Sequence, residues 1–261
     1  MRALYTAATG MLAQETNVEV IANNIANMRT TGYKKSRVDF QDLLYQTMRR
    51  AGTTTSDTGT VAPVGVEIGS GVKTAGTPRI MSQGSLMPTE KDHDVAIRGE
   101  GFFRIEMPDG TIAYTRDGSF ELDNNGMLVT VDGYQLEGGI TVPPDATNFT
   151  VNNEGLVQVM LPGQSAPQDI GQIQLSRFVN KSGLQSIGEN LFVETEASGT
   201  PITDDPGNEG FGTLIQRHLE QGNVNAVTEI SDLIAAQRAY EMNAKVITAA
   251  EEMLQATTNM R

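Results

Sequence analysis

Apolar side chains recur every seven residues at the two ends of this chain and lose that rhythm in between. At the start, Leu4, Met11, Val18 and Ile25 are spaced by seven, and Ala7, Gln14, Ile21 and Met28 fill the alternate positions of a helical seam. Near the end, Leu233, Tyr240, Ile247 and Leu254 repeat the spacing, with Ile230, Gln237 and Ala244 beside them. Asn225 stands where a short carboxamide can accept from exposed backbone N–H groups, so it reads as the N-cap of the second helix. Each helix would be about 40 Å long at ~1.5 Å per residue. Neither is stable alone, because isolated helices are marginal and Gly10 costs the first about 1 kcal/mol. The pattern predicts that the two ends pack on each other; the alternative is that each packs separately on the middle of the chain.

That middle reads as β structure. Asp109-Gly110, Asp117-Gly118, Asn125-Gly126 and Asp132-Gly133 are turn signals every seven or eight residues, separated by short β-branched stretches such as "TIAYTR" and "MLVTV". "NFTVNNEGLVQVML" repeats the design, and "GQIQLSRFV" and "NLFVET" read as further strands. Two irregular stretches, 49–76 and 195–212, are rich in Gly, Thr, Ser, Pro and acids and read as connectors. The expected fold is therefore α+β and multidomain: paired, coiled-coil-like N- and C-terminal helices, a central antiparallel all-β domain, and extended connectors. Its parts are residues 1–34 with 219–261, a connector region 35–94 with 195–218 that includes a long loop 46–75, and the β domain 95–194. A loop that long belongs in a compact protein only if it lies against a neighbour.

Charge narrows the choice of partners. The net charge is -13, from 19 basic and 32 acidic residues, which argues against a nucleic-acid partner. The imbalance is uneven: residues 1–50 hold 7 basic and 4 acidic side chains, whereas 218–261 hold 3 and 6, so the two ends mildly attract. There is no cysteine, which excludes disulfides and thiolate sites and suits a protein that leaves a reducing compartment unfolded. No apolar run approaches the ~18 residues of a membrane span. The first twenty residues lack the continuous apolar stretch of a secretory signal, so export, if it occurs, is expected without a cleaved one.

Candidate chemistry is sparse. His93, between Asp92 and Asp94, has no second histidine or cysteine near it in sequence, and a solvated turn is the simpler reading. Glu121, Asp123, Asn125 and Asp132 approximate a calcium loop around Gly126, but the last ligand is too short and strands flank it, so "DNNG" reads as a hairpin turn. No nucleophile motif or phosphate-cradling loop is present. The expectation is a chain without catalysis, cofactor, metal or small-molecule substrate. A secreted β-rich module binding carbohydrate or calcium is the rival from another class, and it leaves the terminal heptads unexplained.

The distinctive residues sit at the ends. "ANNIANMRTTGYKKSRVDF" and "LEQGNVNAVTEISDLIAAQRAYEMNAKVI", with "DVAIRGEGFF", "AYTRDGSF" and "GENLFVETEASG" between them, resemble the signatures of bacterial flagellar rod and hook proteins over essentially the whole chain. Within that family the length and the stretch around 46–75 are most similar to distal rod subunits; a proximal rod or hook-type subunit is the alternative. The resemblance implies a helical homopolymer that acts as a drive shaft. It also implies type III export and contacts with proximal rod, hook or junction subunits and with periplasmic and outer-membrane ring proteins.

The residues expected at subunit contacts follow from both readings. Leu4, Met11, Val18, Ile25, Leu233, Tyr240, Ile247 and Leu254 carry the apolar seams. Asn23, Asn24 and Asn27 are expected to set axial register, since a buried carboxamide must find a partner, with Asn27 also a left-handed C-cap and Gly32 permitting the turn after it. Tyr33, Asn223, Asn225, Gln237, Arg238 and Asn243 complete the set.

Overall fold

The computed structural model describes residues 2–53, 62–164 and 166–259, which form two compact units. The first unit comprises Met1–Ile25, Ser36–Pro78 and Asn225–Arg261; the second comprises Ala26–Lys35 and Arg79–Val224.

The first unit contains two long helices, α1 (Arg2–Ala26) and α2 (Ala226–Asn259). Asn225 caps α2: its Oδ1 accepts from the N–H groups of Val227 at 3.0 Å and Thr228 at 3.3 Å. Side chains of the helices meet at two places. Gly10 lies against Asn243, so close that a Cβ would come within 2.8 Å of its Nδ2. Asn24 Nδ2 donates to Glu229 Oε2 at 3.1 Å. These contacts are fourteen residues apart on each helix and in opposite order, so the helices run antiparallel.

The closely packed line of α2 differs from the one its spacing predicts. Glu229, Ala236 and Ala250 are buried and Asn243 is half-buried, whereas Ile230 and Gln237 are exposed. Only short or hydrogen-bonding side chains fit where two backbones come close, so the near line is small and polar. The bulky Ile230, Ile234 and Met242 turn outward instead.

Two ribbons complete the first unit. Strand β1 (Asp39–Asp42), β2 (Tyr45–Arg49), β3 (Val66–Gly69) and β4 (Val72–Gly76) pair antiparallel as β1 with β4 and β2 with β3. Segment 46–75, expected as a loop, is thus strand near both ends; its residues 54–61 lie outside the described residues. Alternation in "YQTMR" and "VEIG" is short and was masked by the Thr, Ser and Gly around it. At the start of β4, Val72 N–H donates to Thr9 Oγ1 at 3.4 Å, which ties that ribbon to α1.

The second unit is antiparallel β structure. Phe102–Glu106 and Ile112–Thr115 form a central hairpin in a nine-stranded sheet that continues through Leu191–Val193 on one side and Gln135–Leu136 on the other. Asn148–Val151, Leu156–Met160 and Gln168–Gln172 form a separate three-stranded sheet. Strands Ile202–Asp204 and Thr213–Gln216 run through the expected connector 195–218, and His218–Glu220 is a strand where the expected helical region begins. Ile97, Phe103, Ile105, Val157 and Leu175 are wholly enclosed, and Phe102, Tyr114, Phe178 and Phe192 form a second cluster. Three of the four expected turns close as hairpins, with Gly110, Gly126 and Gly133 N–H donating to Met107, Asp123 and Thr130 carbonyls at 2.9 Å. Gly118 differs. A Cβ there would meet the Val95 carbonyl at 1.7 Å, so this glycine answers a close backbone approach.

Candidate assembly surfaces

The three asparagines that close α1 have different surroundings. Asn24 is buried; its Nδ2 donates to the Ser36 carbonyl at 2.9 Å and to Glu229, and its Oδ1 accepts from Ser36 N–H at 3.0 Å. Its register-setting bonds therefore lie within one subunit, between α1, the returning chain and α2. Asn23, on the same turn, is exposed. Asn27 sits in the turn after the helix, where its Oδ1 accepts from Thr30 Oγ1 at 3.3 Å. It is not the left-handed cap expected of it: among the described non-glycine residues only Glu189, Asn190 and Arg217 have positive φ. The left-handed residue is Gly32, at φ 68°, where a Cβ would also strike Asp117 N at 2.6 Å.

Around Gly32 the two signature segments are tied together inside the second unit. Gly32 N–H donates to the Glu220 carbonyl at 2.7 Å, and Thr31 bridges Gln221. Asn223 Oδ1 accepts from Lys35 N–H at 2.8 Å while its Nδ2 donates to the Ile80 carbonyl at 2.7 Å. Tyr33 is buried beside them in sequence.

Beneath lies a buried charge cluster that sequence reasoning missed. Glu220 accepts from Lys34 Nζ at 2.5 Å, from Arg116 Nη1 at 3.3 Å and from Gly84 N–H at 2.8 Å. Lys34 Nζ also donates to the Ser82 carbonyl at 2.9 Å, and Arg116 Nη2 to the Gly99 carbonyl at 2.7 Å. Burial pushes the Lys34 ammonium below its ordinary pKa, with Glu220 acting in the opposite direction. Burial likewise lowers that of Arg116, again opposed by Glu220. Lys34 and Glu220 are 186 positions apart, and no local spacing announces such a pair.

On the helices, Leu4, Met11, Val18, Ile25, Leu233 and Ile247 are half-buried, while Gln237, Arg238, Tyr240 and Leu254 are exposed. Other apolar side chains are more exposed still: Leu12 at 63 %, Val227 at 76 % and Met242 at 61 %. On the second unit, a groove of about 400 Å³ is lined by His93, Asp92, Asp123, Asn125 and Phe149. The His93 ring rests on Phe149 with centroids 4.9 Å apart, and Asp123 Oδ1 accepts from Asn125 N–H at 2.5 Å within its own turn. Among the described residues no group of three or more His, Cys, Asp or Glu could hold a metal ion, and no helix is long and apolar enough to cross a membrane.

Three family models match in chain order: flagella basal body rod protein over residues 4–34, the flagellar hook protein FlgE/F/G D1 domain over 96–159, and the flagellar basal body rod FlgEFG protein C-terminal region over 215–260. These matches, at both ends and in the β unit, place the chain in the class of flagellar rod and hook proteins. Relatives narrow it. The chain is 54% identical over 261 residues, all of both chains, to the flagellar basal-body rod protein FlgG of Caulobacter vibrioides. To the FlgG of Borreliella burgdorferi it is 48% identical over 263 residues, covering 100% of this chain and 99% of that one. Its identity to FlgF of Caulobacter vibrioides is lower, 34% over 96% of this chain and 94% of that one. The chain belongs to the FlgG family of flagellar basal-body rod proteins. It is a structural subunit of the distal rod of the flagellum.

Proposed function

We propose that copies of this chain polymerise into a rigid helical tube, the shaft that carries motor torque to the hook. The observation that carries the reading is the outward-facing apolar surface of α1 and α2, where Leu12, Val227, Ile234, Met242 and Met253 are exposed. Apolar area of this extent is unfavourable in water and marks an interaction surface. A polymer of identical chains covers it by helix–helix packing.

In the tube, the helices within the terminal regions 1–34 and 219–261 form a coiled-coil-like layer. Residues 35–94 and 195–218 are the connectors to the β domain, 95–194. Leu4, Met11, Val18, Ile25, Leu233, Tyr240, Ile247 and Leu254 contribute the apolar contacts, and Asn23, Gln237, Arg238 and Asn243 the polar ones. Segment 46–75 lies across neighbouring subunits and stiffens the shaft. The subunit is exported by the flagellar type III apparatus without a cleaved signal and crosses the periplasm. There it meets proximal rod and hook or junction subunits and the surrounding ring proteins. It performs no catalysis and takes no cofactor, nucleic acid or small-molecule substrate.

The test is the double variant Ile234→Asp with Met242→Asp. Rod assembly, scored by electron microscopy of basal bodies, should be lost while the purified chain keeps its β-domain melting profile. Normal rods from this variant would refute packing through this apolar face.

A further inference from the structure

The first unit carries two surfaces of opposite character. One is a groove of about 500 Å³ between α1 and α2, lined by Glu15, Val18 and Glu19 from one helix and Gln237, Tyr240 and Glu241 from the other. Its three carboxylates are exposed and surround the half-buried Val18 and the ring of Tyr240. The other surface is the β2–β3 ribbon. Every residue of β2 is exposed, and Leu44 (88 %), Met48 and Val64 stand out into solvent next to the exposed guanidinium groups of Arg49 and Arg50. A two-stranded ribbon this exposed is marginal in water and gains from a surface to lie on.

We infer that Arg49 and Arg50 of one copy, with the apolar side chains beside them, dock in the Glu15–Glu19–Glu241 groove of another copy. The charges are complementary, two guanidinium groups against three carboxylates, and both surfaces offer apolar area alongside the charge. Planar guanidinium groups suit the partner well, since they stack on a tyrosine ring and pair with carboxylates in two-pronged fashion.

The contact lies between copies. Within a chain the ribbon starts beside the opposite end of α1, where Arg2 and Tyr5 line a pocket with Gln46 and Ile68, roughly 15–21 Å along the helix from Glu15 and Glu19. Among the described residues no ion pair joins Arg49 or Arg50 to Glu15, Glu19 or Glu241 of the same chain. A neighbour displaced along the tube can bring its ribbon to the groove.

This inference rests on the tube proposed above, and its test separates the two. Because the chain has no cysteine, the pair Arg50→Cys and Gln237→Cys supplies its only thiols. Mild oxidation of assembled rods should give a ladder of covalent multimers, absent from either single-cysteine chain. Intact rods without a ladder would overturn the contact and leave the tube standing; an unsubstituted chain that forms no rods would overturn the tube. A charge exchange gives a second readout. Arg49→Glu with Arg50→Glu, or Glu15→Lys with Glu241→Lys, should each reduce rod number about tenfold, and the four changes together should restore it. Should the cysteine pair itself block assembly, the exchange decides: rescue supports the contact, and its failure overturns it.

Discussion

The two units solve the problem of apolar surface in opposite ways. In the β unit, Phe103, Ile105, Val157 and Leu175 are sealed, and alternating strands direct them to one shared interior. In the helical unit the line of closest approach is Glu229, Ala236, Asn243 and Ala250, while Val227, Ile234 and Met242 face solvent. The β unit carries its own core. The helical unit leaves several of its large apolar residues uncovered within the single chain, and small and polar ones mark where its helices meet. In the proposed tube, stability within a subunit and cohesion between subunits fall on different faces of the same helices.

Four substitutions test that separation, and their effect on the isolated chain should diminish in turn. Glu220→Gln leaves Lys34 and Arg116 buried without their counter-charge and should cost about 3–5 kcal/mol in denaturant unfolding of the β unit. A cost below about 1 kcal/mol would mean that water already shares those charges. Next, Asn24→Ala abandons Glu229 and both polar groups of Ser36. The loss should be about 2–3 kcal/mol, read as earlier helix melting by circular dichroism and faster amide exchange in α1.

Gly32→Ala comes third. It forces a side chain into a left-handed residue packed on the Asp117 backbone, for about 1–2 kcal/mol, and Gly32→Asn should recover part of that. The smallest effect belongs to Asn23→Leu, on the exposed side of the turn that buries Asn24. Unfolding should move by no more than about 0.5 kcal/mol. Rod assembly should nonetheless suffer, because an apolar residue there permits neighbouring helices to slide. Unchanged motility would confine the register function of these asparagines to Asn24.

Much of this was legible in advance because it depends on local pattern. Heptads announced both helices, Asn225 its cap, and Asp-Gly and Asn-Gly pairs the hairpins of the β unit. Errors arose where local pattern is ambiguous. A helix with apolar residues on several faces does not reveal which face meets its own chain, and Ile230 and Gln237, on the seam that the spacing predicts, lie outward in the single chain. Asn27 has the composition of a left-handed cap, but Gly32 a few residues later supplies that geometry at lower steric cost.

By itself, then, the sequence determined the two terminal helices, the β character of the middle, the family, and the lack of any thiol, since all of these are properties of residue kind and spacing. Only the tertiary structure decided that Lys34, Arg116 and Glu220 share one buried site, that Asn24 binds Glu229, and that Gly10 admits Asn243. Those pairings join residues roughly 80 to 230 positions apart. Nothing in either partner's neighbourhood specifies the other, and only the folded path of the chain brings them within a few ångströms.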